Sequence, residues 1–139
     1  MRHDLILRIG VKLILPFILL FALYVNFHGE YGPGGGFQAG VISAGVVILY
    51  AIIFGVDAAK RAVPPGLVER LIPLGVLLYA SVGLPGMFVG RNFLDYGVLS
   101  SYPPSGHALG ILLVETGVLI TVASTMTAIF YAFAERGRA

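Results

Sequence analysis

Residues 37–56 read FQAGVISAGVVILYAIIFGV, twenty consecutive positions without a charge. As a helix rising 1.5 Å per residue, such a run covers about 30 Å, the thickness of the hydrocarbon layer of a bilayer. Working outward, three more stretches share this character, and they predict membrane-spanning helices over residues 5–27, 71–90 and 107–133 beside the one over 37–56. The whole chain of 139 residues is 58% hydrophobic and 12% charged, against about 25% charged in a soluble domain. A chain this short cannot enclose so much apolar surface in a water-facing core. The expectation is an all-α integral membrane protein with four transmembrane helices forming a single domain, 1–139.

The first span is uncharged only from Leu13 to Phe27, so Arg8 and Lys12 must extend their long side chains back to the headgroups. Pro16 predicts a kink there. A cleaved signal peptide is the alternative, since Arg2, Arg8 and Lys12 precede an apolar run. The sequence that follows, Asn26-Phe27-His28-Gly29-Glu30, lacks a small-residue cleavage pattern, and three further spans commit the chain to the membrane in any case.

Charge placement sets the orientation. Eight of the nine Lys and Arg residues lie at the N-terminus (Arg2, Arg8, Lys12), in the second connection (Lys60, Arg61, Arg70) or at the C-terminus (Arg136, Arg138). Cytoplasmic loops collect such residues, so both termini are expected in the cytoplasm, with loops 28–36 and 91–106 outside. Asp57, Lys60, Arg61, Glu69 and Arg70 read as a solvated loop turning at Pro64-Pro65-Gly66. The longest polar stretch, Arg91 to Gly106, is a turn-rich loop too short to house a catalytic domain. The chain has no cysteine, which excludes disulfides, thiolate zinc sites, iron-sulfur ligation and cysteine nucleophiles. The net charge of +2 is spread between apolar runs without forming a patch, so nucleic acid is not an expected partner.

Gly34, Gly36 and Ala39 formally fit the G-x-G-x-x-A spacing of dinucleotide turns, but the flanks are membrane helices and not a βαβ unit. Gly36, Gly40 and Ala44 form instead a small-xxx-small stripe, the pattern that lets membrane helices approach backbone to backbone. An exposed flexible loop, or an ion held by the loop carbonyls, are the competing readings of the glycine cluster.

Glu115 is the one carboxylate well inside a predicted span. If the last helix begins near His107, Glu115 lies about 12 Å along it, where a charge costs on the order of 3 kcal/mol on insertion scales. On a helical wheel Ile111, Leu112, Val118, Leu119 and Val122 flank it, while Gly110, Gly117, Thr121, Ser124 and Ala128 make a stripe on the far side. The small-residue face suits packing within the protein. The other must present Glu115 to a cavity, a neighbouring chain or a cation, as a proton or Na⁺ carrier or as a structural carboxylate at an interface.

His28, Glu30 and His107 are expected near the outer face as interfacial polar residues; a metal site or a proton entry point is the competing reading, and no fourth ligand spaced on a helix completes a metal set. Pro73, Gly75, Gly83, Pro85 and Gly86 predict an irregular third span, kinked or broken near Pro85. Gln38 and Ser43 can satisfy their polar groups locally. No G-x-S-x-G accompanies the histidines, so no catalytic residue, metal or cofactor is assigned.

The run His28-Gly29-Glu30-Tyr31-Gly32-Pro33-Gly34-Gly35-Gly36-Phe37-Gln38-Ala39-Gly40 resembles the signature of the MnhB/MrpB family, small membrane components of the multi-subunit Mrp (Mnh) cation/proton antiporters. The similarity covers most of the chain, and continues in the last helix as an early carboxylate before Gly-Val, here Glu115-Thr116-Gly117-Val118. In that family the carboxylate is often an aspartate, so Glu115 keeps the charge and lengthens the reach. The resemblance implies Na⁺/H⁺ exchange by a hetero-oligomer in a prokaryotic plasma membrane, with other membrane subunits, including larger antiporter-like ones, as partners. A related module occurs in membrane-bound hydrogenases, whose redox-driven ion pumping is the alternative setting. A lone intramembrane carboxylate and two small-residue faces suit a subunit better than a self-sufficient transporter.

Overall fold

A computed structural model describes residues 2–29, 31–32 and 34–137. Glu30, Pro33 and Arg138, named above, lie outside the described residues. Among the described residues five helices follow in order: α1 (Arg2–Phe27), α2 (Gly36–Phe54), α3 (Val56–Ala62), α4 (Pro65–Phe88) and α5 (Pro103–Arg136), with a 3₁₀ turn at Tyr96–Leu99 before α5. Among the described residues α1, α2, α4 and α5 are the four helices long and apolar enough to cross a membrane.

Helix α5 is the hub. It packs most extensively on α4, then on α2, while α1 lies against α2 and only grazes α5. Small residues make these approaches possible. A Cβ added to Gly40 would sit 3.0 Å from the Leu119 carbonyl oxygen and 2.8 Å from Val122 Cβ, and one on Gly117 would sit 2.9 Å from the Gly75 carbonyl oxygen. Thr121 Oγ1 donates to the Ile72 carbonyl across the α4–α5 seam at 3.4 Å. Alanines such as Ala22, Ala39, Ala44 and Ala51 are accordingly prominent among the buried residues, while Leu77 (68% exposed), Phe88 (87%) and Phe133 (67%) face outward. A soluble protein has the reverse arrangement; lipid or neighbouring chains must cover these faces.

At the α3 end of the bundle, Tyr131 closes the seam between helices. Its hydroxyl donates to the Val63 carbonyl at 3.0 Å, and its ring packs with Ala51, Ala59 and Val68. Lys60 reaches over the ring, 5.6 Å from the centroid, to pair with Glu135.

Several boundaries differ from the sequence reading. The solvated loop expected from Asp57 to Arg70 is largely helical. Gly55, at φ 96°, ends α2 in a conformation that side-chain-bearing residues avoid, and the chain resumes as α3. Pro64 is extended and Pro65 opens α4, where a missing backbone donor costs nothing, so α4 starts six residues before position 71 and Glu69 and Arg70 belong to its first turns. Helix α4 then continues through Pro73 and Pro85 to Phe88 without a break. Helix α5 starts at Pro103, again with proline in its first turn. The connection before it folds back on both helices: the Phe93 ring fills the space a side chain on Gly83 would take, and the Tyr96 ring does the same at Gly110.

Candidate functional site

Three chain segments meet at Glu115. The first is the C-terminal end of α1, which carries no basic residue in its last turn. The second is the turn after it, where Gly34 at φ 142° lets the chain reverse into α2. The third is α5. Side chains added at Gly29 would collide with the Glu115 carboxylate, one at Gly35 would touch Oε1 at 3.0 Å, and one at Gly36 would overlap the Glu115 backbone carbonyl. The glycine turn therefore wraps the carboxylate on one side and the peptide unit on the other.

Depth is the unexpected feature. Glu115 stands twelve residues, about 18 Å, beyond the start of α5, but it is level with Gly36, the first residue of α2. The first three turns of α5 rise past the α1–α2 turn, so position along α5 is not distance below that turn. Helix α2, with 19 residues, covers about 28 Å and matches a bilayer core, whereas the 34 residues of α5 cover about 51 Å.

Beside the carboxylate, above the end of α1, lies a pocket of about 280 Å³ lined by Asn26, Phe27, Ala108, Leu109, Ile111, Leu112 and Glu115. Asn26 is 2% exposed. The Thr116 hydroxyl donates its proton to the Leu112 carbonyl at 2.7 Å, so its oxygen is left to accept. This turns the Asn26 amide so that Nδ2 faces Thr116 at a long 3.5 Å and Oδ1 is the buried atom without a hydrogen-bond partner among the described residues. An amide oxygen and a carboxylate thus meet in this corner, between the C-terminus of α1, where the helix dipole is negative, and the N-terminus of α2 at Gly36, where it is positive and backbone N–H groups are donors. Such a set can hold a proton at the carboxylate and, among the described residues, offers no nucleophile paired with a base.

The other singled-out residues occupy different places. His28 stacks on Tyr24, with ring centroids 5.2 Å apart, and lies 6.3 Å from Tyr31, while His107 meets the Tyr96 ring edge-on at 6.3 Å. Among the described residues no three His, Asp or Glu side chains gather as a metal set. Phe37 and Gln38 are exposed, Gly40 and Ala44 are buried along α2, and Ser43 donates to the Ala39 carbonyl at 2.7 Å. Gly110, Gly117 and Thr121 face the 3₁₀ turn and α4, Ser124 is buried, and Ala128 packs on the Tyr131 cluster. Burial raises the Tyr96 phenol above its ordinary value of 10.0, with neighbouring Tyr79 adding to the effect.

Asn26 joins this corner without being singled out by the sequence, and Gly29 and Thr116, which lie in the two runs that carry the family resemblance, join it without a role assigned there. Asn26 is the one side-chain amide in the uncharged stretch from Leu13 to Phe27, and that isolation is the signal that could have found it.

Comparison with known proteins bears on the same residues. Positions 6–128 match a family model described as a domain related to the MnhB subunit of Na⁺/H⁺ antiporter. A Staphylococcus haemolyticus protein named as antiporter subunit mnhB2 is 31% identical over 134 residues, covering 94% of this chain and 94% of its own length. Its counterpart in Staphylococcus epidermidis is 32% identical over 131 residues, covering 87% and 92%.

Proposed function

Because the chain belongs to the family of domains related to the MnhB subunit of Na⁺/H⁺ antiporters, we propose that it works as one membrane subunit of a Mrp-type Na⁺/H⁺ antiporter complex. The observation that carries this reading is the match over residues 6–128, which takes in the glycine turn and Glu115 and most of all four spanning helices. Antiporter names among the relatives favour antiport over a redox-driven pump as the setting.

The protein is a transporter subunit without an enzymatic step of its own. Its outward apolar faces (Leu77, Phe88 and Phe133 among them) serve as contacts with lipid and with other membrane subunits, including larger antiporter-like ones. It is a multi-pass protein of a prokaryotic plasma membrane, with the α3 end and both termini in the cytoplasm, as the placement of Lys and Arg argues.

Within the complex, Glu115 lines or borders a cation passage. It exchanges a proton for Na⁺ as the surroundings of the pocket change, a reading supported by the buried Asn26 amide oxygen that lines the same pocket without a hydrogen-bond partner among the described residues. The glycine turn holds the carboxylate between α1 and α2, and Gly36, Gly40, Ala44 and Gly117 keep α2, α4 and α5 close enough for that contact.

The test is Na⁺-dependent proton exchange in everted membrane vesicles from cells lacking their own antiporters. Co-expression with the neighbouring subunit genes restores exchange, and omission of this chain from the set abolishes it. Exchange by this chain expressed singly, or full exchange without it, contradicts the proposal.

A further inference from the structure

Arg8 and Lys12 lie one turn apart on α1 and both reach the same ring. Arg8 Cζ stands 5.8 Å and Lys12 Nζ 5.3 Å from the centroid of Phe54, the last residue of α2. Counted back from Phe27, the two cations lie about 28 and 22 Å along α1, at the far edge of a hydrocarbon layer of about 30 Å. An aromatic face attracts a cation but carries no net charge, so two like charges four residues apart still repel. Neither has an ion-pair partner among the described residues; Lys60 holds Glu135, and Arg91 lies 3.6 Å from Asp95.

Next to the pair runs a groove of about 240 Å³ between α1 and α2, lined by Asp4, Leu7, Arg8, Ile52 and Ile53. Its floor is apolar, and Ile52 is 67% exposed. Asp4 marks its outer end, about 6 Å further from the bilayer than Arg8, and keeps an anion on the Arg8–Lys12 side. From this charge complementarity we infer that the α1–α2 seam is a binding site for an anionic phospholipid, its phosphodiester between Arg8 and Lys12 and an acyl chain along Leu7, Ile52 and Ile53. Basic clefts between spanning helices recognise lipid headgroups in this way.

The chain contains no tryptophan, so Phe54→Trp places a single tryptophan, excited selectively over the tyrosines, at the site and keeps the cation–ring contacts. The full-length chain is reconstituted in vesicles, and quenching by dibrominated phosphatidylglycerol is compared with quenching by dibrominated phosphatidylcholine. The expected result is a preference for the anionic lipid that drops about fivefold for each cation removed in Arg8→Gln and Lys12→Gln and is weakened by high salt. Ile52→Trp reports from the groove floor and must show the same preference, also where Phe54→Trp fails to fold. Phe37→Trp, at the other end of α2, must show none. Equal quenching by both lipids at Phe54 and Ile52, an unchanged preference in the Gln variants, the same preference at Phe37, or displacement of the lipid by soluble glycerophosphate overturns the inference.

Discussion

The Glu115 carbonyl and Gly36 are in backbone contact: a Cβ on Gly36 would overlap that oxygen and stand 2.9 Å from Glu115 Cα. Neither partner can rotate away, because both are main chain. Gly36→Ala therefore forces α2 off α5, at a cost of about 1–3 kcal/mol, the range for overpacking. Thermal unfolding of the detergent-solubilised chain will show the loss, while Gly45→Ala, mid-helix with open space around it, is neutral or stabilises by up to about 1 kcal/mol.

The α4–α5 seam separates packing from hydrogen bonding. Thr121→Val removes the 3.4 Å bond to the Ile72 carbonyl and costs about 0.6 kcal/mol, the mean for such bonds in membrane bundles. Gly75→Ala brings a methyl to 2.7 Å from the Gly117 carbonyl oxygen and costs more, about 1–3 kcal/mol. Unfolding midpoints of the two variants, measured side by side, rank them.

The spanning helices are legible in the sequence because twenty uncharged residues have few other uses, and the small-residue spacing of Gly36 and Gly40 marks a close approach. What the sequence does not supply is relative height. Nothing local says that the start of α2 stands level with the thirteenth residue of α5, since that follows from which glycines meet across the bundle. The contact between Gly29 and Glu115 joins positions 86 apart, and Asn26 enters the corner only through Thr116. Helix α3 escapes a sequence reading because seven residues after Gly55 carry no periodicity strong enough to separate a short helix from a loop.

Tyr96 carries a pH dependence. Its phenol is raised above 10.0 by burial and by Tyr79, so the folded state favours the neutral form. That contribution to stability is complete below the unfolded value and is lost as pH rises through the folded one. The hold of the 3₁₀ turn on Gly110 weakens above about pH 10, and Tyr96→Phe flattens the alkaline fall in melting temperature. An identical fall in the variant shows that another group is responsible.

Gly29→Ala tests the carboxylate without touching it chemically. The new methyl occupies the space of the Glu115 side-chain oxygens, whose flexible stem can move aside. The complex should assemble in normal yield and exchange Na⁺ for protons severalfold more slowly, as read by dequenching of a pH-sensitive dye in everted vesicles. Parent-like exchange would mean that the position of the carboxylate is immaterial.

The most direct measurement is Na⁺-dependent proton exchange by the complete complex carrying Glu115→Gln, with Glu115→Asp alongside and subunit content quantified in both. Normal assembly with exchange lost in Glu115→Gln and partly kept in Glu115→Asp is the predicted result. Undiminished exchange by an intact Glu115→Gln complex contradicts a carboxylate that carries the ion or its proton.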